Sequence, residues 1–413
     1  MVGDPMLTIK GRSPRGLYAV KLTDIFFADQ HQVLTRSAAD ESLRKIKLLG
    51  QPVNCELLDE VFPPKAFQDR RHVSRFPCVM KDAPEDKVRL NLLYQDTRLK
   101  LGFEDAMARR NDRKPGACDI AALLRIYLVL LRTLLWGCEP TWRLCTDNDL
   151  DALTFSLLNR FDPARRDDLL RDGYLANRHS LLAVKSLLEG EDQSPLSFLP
   201  YQIHAGAVWW SDPHGHRVPD AELILNDFEC FSVEALSCPS RLVFLFDDNG
   251  ELAWDLVMIR LMLCANPGLT VTGVVSTEVV ANNSNSATLA TCLEDPLLGS
   301  LRNDPRFEVF EERNIRSAID PAFCSRELLG VMSNADVLFI KGVSFFETIQ
   351  RLDAPSYYGF VVHSLDSQRC TGLRKGEGVF VRIPRHKAAF DYGNKALREL
   401  YPGLRASFRV PIP

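Results

Sequence analysis

Two carboxylates stand side by side at Asp247 and Asp248, and after Asn249 and Gly250 a third follows at Glu251. A fourth, Asp255, comes about one helical turn further on. Crowded carboxylates repel one another, so such a group needs a cation: a divalent metal, an arginine or lysine side chain, or a cationic ligand. Asp248 and Glu251 also have the spacing of a capping box, in which both satisfy amides of a helix's first turn. A cap accounts for that pair alone. It explains neither Asp247 nor Asp255.

The elements around these acids decide what they can reach. Residues 242–247 form an apolar run that ends in Asp247, and residues 251–264 carry a helical pattern that starts at Glu251. A strand running through a turn into a helix puts the acids where open α/β sheets build their ligand sites. Residues 335–341 are a second apolar run, which ends in Lys341 and so delivers an ammonium to the same edge. That lysine serves either as the ion-pair partner of one of the acids or as a positive group for an ester or phosphate oxygen. Ser344 lacks the GxSxG elbow and any histidine nearby in sequence, and is not taken as a nucleophile.

Residues 269–276, 358–363 and 378–383 are further short runs rich in Val, Ile and Phe, and helical patterns at 325–332 and 345–352 separate several of them. Buried strands alternating with helices predict an α/β fold, a mostly parallel sheet with helices on both faces. Residues 282–310 are less regular and read as an insertion near the sheet's binding edge. The first part of the chain is predicted to be mainly helical, with helices at 117–136, 150–158 and 166–188. An exposed connection is expected at 189–200, and short strands at 205–210 and 221–226. The division expected is a helical N-terminal domain over 1–235 and an α/β catalytic domain over 236–413.

Composition limits the partners. A net charge of −4 over 413 residues gives no overall nucleic-acid signature, so a polyanion must meet a local basic patch. The least diluted patch is Arg382, Arg385, His386 and Lys387, just past a predicted strand, and it is the first choice for a phosphate backbone. The eleven cysteines never fall at CxxC spacing and suggest scattered reduced thiols. His214 and His216 sit in a Pro/Gly-rich turn without other metal-ligating company, and read as a surface loop. The opening residues have no signal-peptide core, and residues 120–136 hold Arg125 and Arg132 and are short for a span. No membrane association is expected, and the location expected by elimination is cytoplasmic.

The C-terminal half resembles the damage-control phosphatase family. That family reads DN-[AS]-G-x-E-L-x-x-D-L after a strand, where this chain has DDNGELAWDL, and A-D-[LV]-[VL]-[IF]-x-K-G-D, where this chain has ADVLFIKGV. A later segment matches loosely over 373–383, so the likeness covers about residues 240–385. One departure stands out: the family's metal-binding Asp after Lys-Gly is replaced by Val343. A site short of one hard oxygen ligand is poorly suited to metal-assisted phosphate hydrolysis. A divergent branch is more similar, the fungal arginine-containing cyclodipeptide synthases, whose hallmark is DDxxE, here Asp247-Asp248-Asn249-Gly250-Glu251.

The resemblance implies condensation of arginyl-tRNA with a second aminoacyl-tRNA to a cyclic dipeptide. Both esters are already activated, so no cofactor is required. The implied roles are Glu251 as general base supported by Asp248, Asp247 or Asp255 holding the arginine guanidinium, and Lys341 stabilising an oxyanion or the departing ribose oxygen. Asn249 joins Asp255 and Lys341 as a substrate-binding residue, and Arg382, Arg385 and Lys387 are expected to bind tRNA. No metal ligand is expected under this reading. The competing readings are a phosphatase acting on sugar phosphates, which calls for a divalent metal, and a binding protein that keeps the fold without the reaction.

Overall fold

In the computed structural model, the described residues are 35–46, 48, 53–61, 85–110, 115–136, 147–189, 194–211, 222–314, 316–320, 323–348, 352, 354–363, 367–368 and 371–385. His214, His216, His386 and Lys387 lie outside them.

The apolar runs line up in one seven-stranded sheet of order β1-β7-β6-β5-β2-β3-β4. Its strands are β1 (Leu223–Asn226), β2 (Ser240–Leu245), β3 (Leu269–Ser276), β4 (Phe307–Glu312), β5 (Val337–Lys341), β6 (Ser356–Val361) and β7 (Gly378–Ile383). Strands β6, β5, β2, β3 and β4 are mutually parallel, β7 turns back antiparallel to β6, and β1 follows β7 in parallel. The fold is therefore α/β with a mostly parallel sheet.

Central strands of such a sheet are covered on both faces, which is why β5 is buried along its whole length. Phe244, Phe339, Tyr357 and Phe380 pack on one face with the helix Leu252–Ala265, while Val243, Leu245, Ile340 and Tyr358 pack on the other with the helix Arg326–Ser333. The helix after β2 is apolar almost all round, and its residues Leu252–Leu263 are buried except Arg260. That suits a helix sandwiched between sheet and further helices.

The helical part comprises α1 (Arg36–Arg44), α2 (Glu56–Val61), α3 (Glu85–Arg109), α4 (Ala117–Trp136), α5 (Asp147–Phe161), α6 (Arg165–Leu188) and α7 (Pro195–Ser211). In the second half the longer helices are α8 (Leu252–Ala265), α9 (Ser286–Leu293), α10 (Arg326–Ser333) and α11 (Val343–Thr348). One hydrophobic core gathers residues from Ala39 to Phe161, and a second starts at Leu181. The cores thus divide between Phe161 and Leu181, and β1 already belongs to the sheet although it precedes residue 236.

Three sequence expectations are corrected. Residues 205–210 lie in α7 and not in a strand, and α7 begins inside the expected exposed connection. Pro195 at its first turn is preset for helix, and Ser194 and Ser197 exchange hydrogen bonds at its start. Residues 282–310 are not a loose insertion: they hold α9, capped by Asn285, and most of the edge strand β4. The sequence of β4, FEVFEE, alternates with charge because only part of it is covered, as befits an edge.

Candidate active site

The acids sit just past the C-terminal ends of β2 and β5, which are hydrogen-bonded neighbours. Oxygen atoms of Asp247, Asp248 and Glu251 all lie within 4.8 Å of one another. Two glycines permit this. Gly250 takes φ +91° in the turn, and Gly342 takes φ +84° directly after Lys341. A Cβ at Gly342 would stand 1.6 Å from Asp247 Oδ2, so the carboxylate occupies the space that any other residue there would need.

The capping explanation does not describe this loop. Helix α8 has Glu251 at its N-cap, and no side chain caps it; the backbone carbonyl of Asp248 accepts from Glu251 and Leu252 instead. The Glu251 carboxylate turns to Lys341, whose Nζ lies 2.7 Å from Oε2 and donates to the Gln202 carbonyl at 3.1 Å. Asp255 Oδ1 is 4.0 Å from the same ammonium and accepts from Gln202 Nε2 at 2.5 Å. Lys341 and Asp255 are both 0 % exposed and lie buried beneath the acidic turn.

Protonation follows from this layering. Burial would lower the Lys341 pKa, but the charges of Glu251 and Asp255 outweigh it and hold the ammonium charged. Burial pushes Asp255 up to about 7, against the pull of Lys341. Asp247 is raised well above the usual carboxylate range, first by burial and then by the charges of Asp248 and Glu251. It has no ion-pair partner among the described residues. Asp248 is the most exposed of the three converging carboxylates.

Asn249 plays another part. Its Oδ1 accepts from Asn177 Nδ2 at 3.0 Å, its Nδ2 donates to the Asn283 carbonyl at 2.9 Å, and its backbone pairs with Asn282. Asn177 Oδ1 also accepts from the Gly250 amide at 2.7 Å, and the Ser180 hydroxyl donates to the Gly250 carbonyl at 2.6 Å. The structure thus ties the side chain of Asn249 to α6, where it fixes the shape of the acidic turn. Asn177, Ser180 and Gln202 are supporting residues that sequence reading missed. They come from α6 and α7, far away in sequence, and no local motif marks them.

The expected tRNA patch is placed elsewhere. Arg382 opposes Tyr357 at the start of β6, hence at the N-terminal edge of the parallel strands. Its guanidinium bonds both oxygens of Glu234, which also accepts from Tyr357 Oη at 2.7 Å. Arg385 lies close enough to act electrostatically on Asp336, the residue just before β5, at that same far edge.

Three carboxylate oxygens from one loop are a hard donor set of the kind that magnesium or manganese prefers. The position that supplies a further oxygen in the resembling phosphatases is Val343, which packs into the hydrophobic cluster beneath the sheet. The fit to a metal is therefore partial: Asp247, Asp248 and Glu251 can reach one ion, but Glu251 already answers Lys341.

No family model matches the chain, and neither does any curated protein. Among solved structures the chain is similar to a DUF89 family protein from Pyrococcus horikoshii, with a TM-score of 0.53 and 14 % identity over 70 % of this chain and 97 % of that one. No described helix is long and apolar enough to cross a membrane. At this identity the likeness is one of fold, and the chain shares the α/β architecture of that DUF89 protein.

Proposed function

We propose that the chain is a tRNA-dependent cyclodipeptide synthase that condenses arginyl-tRNA with a second aminoacyl-tRNA. The observation that carries this reading is the pairing of a proton-hungry Asp247 with a second, more exposed acid, Asp248, in a site where Val343 replaces an oxygen ligand. In the first step the α-ammonium of one aminoacyl group loses a proton to a carboxylate. The free amine attacks the ester carbonyl of the other, the peptide C–N bond forms, and the ester C–O bond breaks as the ribose oxygen leaves with the second proton, shed by the attacking nitrogen. The second amine then attacks the remaining ester intramolecularly, which closes the ring and frees the second tRNA. No water and no nucleoside triphosphate enter the balance.

The geometry redistributes the roles implied by resemblance. Glu251 is held by Lys341, so the base assigned is Asp247, whose proton affinity burial and the charges of Asp248 and Glu251 raise. Asp248, more exposed, is assigned the arginine guanidinium, whose planar fork matches a carboxylate. Glu251, Lys341 and Asp255 position the loop from below. The test is expression in a host with ordinary charged tRNAs, followed by mass spectrometry for arginine-containing diketopiperazines. Their presence with the native protein and absence with Asp247→Asn is the expected result.

The convergence of three carboxylates within 4.8 Å favours one second reading, a metal-dependent phosphate-ester hydrolase. In that case Asp247, Asp248 and Glu251 would hold the ion, which would supply charge for a phosphoryl oxygen. Phosphate release from sugar phosphates that depends on added manganese, cobalt or nickel, with no diketopiperazine formed, would put this reading first.

A further inference from the structure

The helical part gathers cations and aromatic rings around one face of α3. Tyr94 and Arg98 lie on one face of α3, four residues apart. The Arg98 guanidinium sits 4.0 Å over the Tyr94 ring and 5.1 Å from the ring centre of Phe155 on α5. Arg165, the first residue of α6, lies 5.4 Å from the ring centre of the same Phe155. Two guanidiniums and two aromatic rings are thus in contact: Phe155 is buried beneath the arginines, while Tyr94, Arg98 and Arg165 each keep part of their area exposed.

The charges on this surface are unevenly matched. Arg98 pairs with Asp151 at 2.8 Å. Arg165 donates to Asn159 Oδ1 at 3.3 Å, and among the described residues no carboxylate forms an ion pair with it. Burial, and then the nearby charge of Arg109, push its guanidinium down to about 10, against the opposing charges of Asp162 and Asp105.

A chain of contacts joins this surface to the acids. Asp248 forms a backbone bridge with Asn283, and Asn283 Nδ2 donates to the Ser317 carbonyl at 2.8 Å. The Ser317 hydroxyl reaches Asn148 Oδ1 at 2.8 Å and Asp151 Oδ2 at 3.4 Å, and Asp151 holds Arg98. Tyr94 lies near enough for the charge of Asp248 to act on its phenol. Helix α6 completes the link, running from Arg165 to the residues that grip Asn249 and Gly250.

We propose that Tyr94, Arg98, Phe155 and Arg165 form the subsite for the terminal nucleotide of the charged RNA. Its phosphodiester lies against the Arg165 guanidinium, and its base stacks on the Tyr94–Arg98 layer. An aminoacyl ester is joined to the ribose of that nucleotide, so the group holding the nucleotide must stand beside the group doing the chemistry. Unpaired bases are read by stacking on aromatic rings and guanidinium planes, and phosphates by arginine. This inference rests on the synthase reading and adds to it the residues that seat the RNA end.

The test uses the full chain and a hairpin RNA ending in CCA, with arginine attached to the terminal ribose through an amide that cannot be hydrolysed. Binding is followed by fluorescence anisotropy over a salt series, with diketopiperazine formation measured in parallel. Arg165→Gln should weaken binding roughly tenfold, the loss expected for one charged hydrogen bond, and should flatten the log–log salt slope by about 0.7. Arg165→Lys, which keeps the charge, should recover most of the slope and provides the reading if the glutamine variant does not fold. Unchanged affinity in both Arg165→Gln and Arg98→Gln, or no binding of the RNA to the native chain, overturns the subsite. A hexose phosphate that binds in place of the RNA, and is weakened by Arg165→Gln, assigns the surface to a sugar phosphate and overturns it as well. Product formation with unchanged RNA affinity in the variants sinks the subsite alone; arginine-dependent RNA binding without product sinks the synthase reading alone.

Discussion

The two edges of the sheet carry similar residues in opposite electrostatic states. At the C-terminal edge, burial and mutual repulsion raise Asp247 and Asp255, and a single lysine faces Glu251 and Asp255. At the N-terminal edge, Arg241 bonds Asp336 and holds its carboxyl below the usual range, while Arg382 and Tyr357 do the same for Glu234 against the opposing effect of burial. One edge balances each acid with its own arginine in partial contact with water. The other gathers acids at a largely buried turn and leaves the balance unfinished. Isolated structural pairs need only the first arrangement. The second is costly without a ligand, which is the arrangement that functional sites tend to carry.

The sharpest break of that contrast is Asp247→Asn. Loss of a general base typically costs 10²–10⁴-fold, so product formation should fall by roughly that factor with the fold intact. Asp336→Asn at the far edge should leave turnover within about twofold. Equal activity of Asp247→Asn and native protein in a charged-tRNA assay removes the base assignment. Next in size is Lys341→Met, which strands Glu251 and Asp255 without their buried cation. A loss of about 3–5 kcal/mol in urea unfolding is expected, the usual result of breaking a buried pair from one side. Arg382→Met breaks a pair whose side chains are each 29 % exposed, and should cost about 1 kcal/mol or less. Similar losses at the two sites would mean that the edges do not differ in kind.

Asp255 offers a pH test. Its folded pKa of about 7 lies above an ordinary value of about 3.9, so the native state holds this proton more tightly than the unfolded chain does. The stability it contributes is complete below about pH 3.9 and is lost as pH rises through about 7. Asp255→Asn cannot lose that proton. Its unfolding free energy should therefore gain on that of the native protein steadily between about pH 4 and pH 7. A difference that stays flat across this window would show that Asp255 is ionised in the folded state throughout.

The edges differ too in how openly the sequence displays them. The strands β3 and β7 were legible to the residue, because Val- and Ile-rich runs bounded by polar turns leave little choice of register. Asp247, Glu251 and Lys341 were legible as one site because each ends or follows an apolar run of a parallel sheet. An ion pair of Lys341 with one of the acids is one of two readings that the sequence leaves open. The edge strand β4 and the helix α7 were misjudged, since charge alternation and a proline at the first turn each imitate irregular chain locally. The supports from Asn177, Ser180 and Gln202, and the joining of Tyr94 and Arg98 to Arg165, are not legible; Arg165 shows only within the basic group Arg160–Arg165–Arg166–Arg171, which reads as a solvated face. The supports depend on how helices more than 50 residues away pack on the turn.

The smallest expected effect carries its own weight. Arg382 and Arg385 form a basic patch in sequence, and a patch of that kind ordinarily suggests a phosphate backbone. In the fold Arg382 is bound to Glu234, and Arg385 stands near Asp336 at the edge away from the acids. A charge already answered by a carboxylate releases few counterions when RNA arrives, so its removal should barely change the salt slope. Arg382→Gln with Arg385→Gln is therefore expected to bind the arginylated hairpin within about twofold of the native chain, with an unchanged slope. Arg165→Gln in the same series should lose about 0.7 of slope. If the double variant loses that slope and Arg165→Gln does not, the RNA approaches the far edge, and the contrast between the two edges no longer locates the substrate.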